Sequence, residues 1–74
     1  VRFALPRAAG VTVAVYNSAG RLVRTLVAGT AEAGYHRAAW DGRDEAGRRV
    51  APGVYYCRLN SAEFAAMRKL VKLD

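Results

Sequence analysis

The chain has 74 residues, 53% of them hydrophobic and 24% charged, with twelve Lys and Arg against six acids and a formal charge of +6. That composition excludes a disordered tail, and no apolar run approaches the roughly 20 residues of a membrane helix. The basic excess is scattered over every segment, only Arg48-Arg49 and Arg68-Lys69 being adjacent; with no aromatic-plus-basic pattern of an RNA-binding sheet, it argues against a nucleic-acid partner and reads as solvated sheet faces.

Val1, Phe3 and Leu5 alternate with Arg2 and Ala4, the period of a half-buried strand, and Pro6 then removes a backbone donor, as suits a strand ending at a sheet edge. The chain enters this run without an initiator Met and shows no signal-peptide stretch. That is expected of a fragment, mature piece or C-terminal module of a longer polypeptide, with residues 1–74 forming a single domain. Val11, Val13 and Val15, alternating with Thr12, Ala14 and Tyr16, are the clearest strand. Asn17-Ser18-Ala19-Gly20 predicts a hairpin turn, because Asn hydrogen-bonds its own backbone and Gly20 tolerates positive φ.

From Arg21 to Val27 the apolar positions Leu22, Val23, Leu26 and Val27 fit neither pure alternation nor a convincing helix. The helical alternative is about two turns long, is fenced by Gly20 and Gly29, and contains three β-branched residues, so a strand with a bulge is favoured. Ala28 to Gly34 reads as a loop. Tyr35 to Trp40 presents two rows, His36, Ala38 and Trp40 on one face and Tyr35, Arg37 and Ala39 on the other. Trp40, the largest apolar side chain, is expected to face the core. Asp41 to Gly47 is a turn cluster, in which Asp41 caps neighbouring amides and Gly42 and Gly47 supply special φ values.

Val50 and Pro52-Gly53 lead into a strand over Val54 to Leu59, with Tyr55, Cys57 and Leu59 on the core face and Val54, Tyr56 and Arg58 outside. Cys57, the single cysteine, excludes an internal disulfide or a multi-cysteine zinc site. Its apolar neighbours mark it as a buried small hydrophobe rather than a reactive thiol, with an intermolecular disulfide open to it if exposed. Glu63 to Leu73 forms a last strand with Met67, Val71 and Leu73 facing in and Lys69 at the rim; the opposite register, Phe64, Ala66 and Leu70, stays open, and a bulge would reconcile the two. Six to seven short strands separated by turn signals, with no convincing helix, give an all-β, antiparallel fold, a sandwich or a small barrel.

The ordered succession from Phe3-Ala4-Leu5-Pro6 through Val13–Leu26, Ala33-Gly34-Tyr35-His36, Trp40–Asp44 and Gly47–Tyr56 to Lys69–Leu73 resembles the Ig-like domain named after the flagellar hook-capping protein, FlgD. It is also similar to the related C-terminal sorting domains of type IX secretion cargo. The resemblance covers nearly the whole chain. It implies an immunoglobulin-like antiparallel β-sandwich in a secreted or cell-surface bacterial protein, read by outer-membrane export machinery in the sorting branch and serving a capping scaffold in the hook-cap branch.

Catalysis needs convergent groups, and the inventory is thin: His36 with Cys57 or Ser61 lacks an orienting third group, so no enzyme activity and no cofactor are expected. Asp41, Asp44 and Glu45 offer oxygens to calcium, but without EF-hand spacing and beside Arg43, Arg48 and Arg49 they read as turn caps. Tyr16, Tyr35 and Tyr56 form a glycan platform only if their strands bring them together. The residues singled out are therefore structural: Phe3, Val13, Val15, Gly20, Leu26, Trp40, Asp41, Gly42, Gly47, Pro52, Gly53, Tyr55 and Leu59. The leading functional reading is a non-catalytic sorting, anchoring or interaction module. It docks to its parent chain, a like subunit (making an oligomer) or export machinery by edge-strand addition. A scaffold subunit of a filament or cap is the second reading and glycan binding the third.

Overall fold

A computed structural model of the chain describes residues 2–62 and 65–73. Its elements in chain order are β1 (Arg2–Leu5), β2 (Ala9–Asn17), β3 (Leu22–Ala31), β4 (Gly34–Arg37), β5 (Gly53–Ser61) and β6 (Ala65–Lys72). Every pairing is antiparallel, β1 with β4 in one sheet and β3-β2-β5-β6 in the other. The result is an all-β, Ig-like sandwich, with no helix among the described residues. The expected strand starts at Val1 and Glu63, and Phe64 of the alternative register, lie outside those residues.

Alternation in β2 sets the inner face of the larger sheet. Val13 and Val15 are wholly buried and Val11 nearly so, each such side chain contributing about 1.5–3 kcal/mol. Across the layers Val11 and Val13 meet Phe3 and Leu5 of β1, and Ala38, Cys57 and Leu59 complete that part of the core. A second cluster gathers Val15, Val23 and Tyr55, with Trp40 and Val50 packed against it; Leu26 and Leu70 touch both clusters.

The turn after β2 forms as its residues dictate. Asn17 Oδ1 accepts from the amides of Ala19 at 3.0 Å and Arg21 at 2.9 Å, and Gly20 takes a φ of 83°. The irregular run that follows is a strand with two bulges. The β2–β3 register steps between Val13/Ala14 and Val15/Tyr16, leaving Leu26 and Val23 as the extra residues of β3. The first bulge turns Leu26 onto the core, where strict alternation from Val27 would have sent it to solvent, and the second restores the parity that leaves Val23 buried. Ala14, expected outside, is buried beside the first bulge.

Two expectations are corrected. The loop expected over Ala28 to Gly34 shrinks to Glu32 and Ala33: Ala28 to Ala31 continue β3 against Thr12 to Ala9, and Gly34 opens β4. A segment of weak strand propensity is held there by the backbone of its hairpin partner, since β propensity yields to context. The last strand takes the other register. Tyr55, Cys57 and Leu59 face the core, so their partners Leu70, Arg68 and Ala66 do too, with no register shift along the pair. Met67 is 65% exposed, and Val71 and Leu73 also face solvent. Because a strand's side chains alternate, this one-residue difference in parity moves the whole set to the other face.

Candidate functional site

Most of the residues singled out from the sequence serve the core and its turns. Phe3, Val13, Val15, Tyr55 and Leu59 are buried, while Leu26 occupies its bulge. Trp40 is half-buried at the edge of the second cluster rather than within it, its Nε1 donating to the Arg43 carbonyl at 2.9 Å. Asp41 is exposed, and its Oδ1 accepts from the Arg43 amide at 3.1 Å. Gly42, Gly47 and Gly53 have φ of 79°, 82° and 147°; Pro52 is exposed at the entry to β5.

The chemistry-bearing residues are used locally. His36 stacks on Phe3 with centroids 5.2 Å apart, and its Nε2 donates to the Glu32 carbonyl at 2.6 Å. Burial pushes the Cys57 thiol above its ordinary pKa, with the Arg68 guanidinium pulling the other way. Asp44 Oδ1 accepts from the amides of Ala46 at 3.0 Å and Arg48 at 2.9 Å, so it is committed to the turn. Tyr16 and Tyr56 are direct cross-strand partners on the outer face, with Arg58 6.0 Å from the Tyr16 ring centre. Tyr35 sits in the other sheet, 94% exposed, and joins no platform with them.

What the fold distinguishes is its two long edges. On β3, the Glu45 amide donates to the Val23 carbonyl at 3.1 Å and Glu45 Oε1 accepts from the Thr25 amide, so the Asp44–Glu45 turn covers part of the edge. Two bulges in the same strand twist the remainder away from a flat template. On the opposite side β6 pairs, among the described residues, with β5 alone.

Beside β6 the two layers stand apart. A hollow of about 650 Å³ lies between residues 37–42 and the end of β6, with Leu26, Trp40, Cys57 and Leu70 among its walls. A smaller one of about 200 Å³ lies between β1 and the start of β6, and Cys57 lines both. The rims carry Arg37, Arg49 and Lys72 on the first and Arg2 and Arg68 on the second. Asp41 is the one acid among the described lining residues, and it already faces Arg24 at 3.6 Å and Arg43 at 4.0 Å.

Sequence reasoning treated these cations as solvated faces. The signal that locates Arg68 and Lys72 is their parity with Leu70, readable only once β6 is in register with the buried row of β5. Arg37 and Arg49 come from outside β6, and only the fold brings them to the larger hollow beside Lys72.

Among the described residues no group of three or more His, Cys, Asp or Glu side chains converges on a metal-sized site, and no helix is long and apolar enough to cross a membrane. A family model described as FlgD Ig-like domain matches residues 1–63. No curated protein and no solved structure gives a match.

Proposed function

The chain belongs to the FlgD Ig-like domain family, and from that premise we propose that it is a non-catalytic docking module of a hook-cap-type or other bacterial surface protein, presenting the β6 edge to a protein partner. The asymmetry of the edges carries this reading. An open sandwich has to manage its unpaired backbone groups; here β3 is capped by Glu45 and bulged, whereas β6 stands beside an open cleft. A chain of this size also buries a small share of its surface, so a partner strand would add stability.

The test is site-directed photocrosslinking in the native parent protein. A crosslinker at Val71, the exposed outer residue of β6, is expected to capture a protein partner, and one at Thr30 on β3 is not. Capture at Thr30 with none at Val71 would remove the reading. Sorting by an export receptor and docking within a capping scaffold would use the same edge. A reporter fused to this chain in a cell with type IX secretion separates them, because surface delivery follows only from the first.

A further inference from the structure

We propose that the cleft beside β6 receives an extended acidic segment of a partner protein, which adds to the sheet as a fifth strand with its carboxylates against Arg37, Arg49 and Arg68. This rests on β6 being the docking edge and names the class of partner that the edge selects. A strand added there pairs its backbone with β6 and sends every second side chain into the gap between the layers. The inward row of β6 alternates apolar and basic residues, Ala66, Arg68, Leu70 and Lys72. Arg37 and Arg49 approach from the opposite wall, both exposed. Among the described residues the two hollows are lined by five cations and one acid, which is already shared by Arg24 and Arg43.

Charge selects among the occupants. A second copy of β6 in antiparallel pairing, with the same face turned inward, would bring its Arg68 and Lys72 against the same basic set, and like charges opposite one another are destabilising. Inward-pointing charge on an edge strand disfavours self-association in just this way. Carboxylates on an incoming strand instead meet guanidinium groups, whose hydrogen bonds to an ionised acceptor are stronger than neutral ones. The walls at Trp40, Leu26 and Leu70 call for small apolar residues between those acids.

Trp40 lines the larger hollow and is the single tryptophan, so its emission reports occupancy. The probe is a capped peptide alternating Glu and Val over about eight residues, the length of β6, compared with Gln–Val and Lys–Val peptides and a short single-stranded oligonucleotide. The Glu–Val peptide is expected to shift Trp40 emission to the blue, protect β6 amides from exchange and weaken with added salt. Replacing Arg37 and Arg49 by Glu is expected to reduce its affinity by about tenfold or more. Equal protection of β6 by the Gln–Val peptide overturns the acidic class and leaves the docking edge standing; no protection by any peptide overturns both. Preferential binding of the oligonucleotide, or indifference to the two Arg replacements, also overturns the proposal.

Discussion

Trp40 meets Tyr55 edge-on, their ring centroids 5.1 Å apart and their planes at 60°. Both polar tips bond into the segment that joins them: the indole N–H donates to the Arg43 carbonyl and the phenol to the Ala51 carbonyl. The pair thus clasps the long connection between β4 and β5. Tyr55→Phe keeps the ring and loses one hydrogen bond, so urea denaturation is expected to show a loss of about 0.5–1.5 kcal/mol. A double-mutant cycle of Trp40→Leu and Tyr55→Leu should give a coupling of about 0.5–1.5 kcal/mol. Strict additivity would mean the rings are neighbours without being partners.

Gly42 is buried with a φ of 79°, and a Cβ there would meet the Lys72 Cε at 2.8 Å. Two penalties are superimposed in Gly42→Ala, backbone strain of about 1–2 kcal/mol and displacement of a flexible lysine end. Thermal melts should show that adding Lys72→Ala to Gly42→Ala restores little, because the strain remains. Full recovery in the double variant would make the lysine contact the whole effect.

The hairpin turn after β2, the inner face of β2 and the inner face of β5 were legible because alternation and turn chemistry are local: Val11, Val13, Val15 and Tyr55, Cys57, Leu59 declare their parity without help. The bulged character of β3 was legible as a failure of alternation at Leu22, Val23, Leu26 and Val27. What was not legible depended on a partner strand. Ala28 and Gly29 have little strand propensity of their own and are ordered by Thr12 and Val11, and β6 contains apolar residues in both parities, so only its register against β5 decides which set turns in. The cleft was hidden for the same reason. Its cations come from separate segments that converge only in three dimensions.

Glu45 makes two bonds to the β3 edge, one through its amide and one through its carboxylate. Glu45→Ala frees the Thr25 N–H and removes the charge that guards it, so the edge becomes a template for a second chain. Sedimentation velocity over a concentration series is expected to show self-association in Glu45→Ala and much less in Glu45→Gln, which keeps the accepting oxygen. Two monomeric variants at the highest concentration would show that the bulges alone protect this edge.

Cys57 is a buried free thiol in the wall of both hollows, and burial raises its pKa in the folded chain. The unfolded thiol ionises near pH 8.5. A raised folded pKa means the unfolded chain gives up this proton first, so the stability tied to the neutral thiol is complete below pH about 8.5 and is lost as pH climbs toward the folded value. Other groups titrate in the same range, so the useful quantity is the difference between wild type and Cys57→Ala in urea midpoint. That difference should be flat at pH 6–8 and should shrink steadily above about pH 8.5. A difference that stays constant into the alkaline range would mean the thiolate is as well accommodated in the fold as in water. The Arg68 guanidinium would then outweigh the cost of burial.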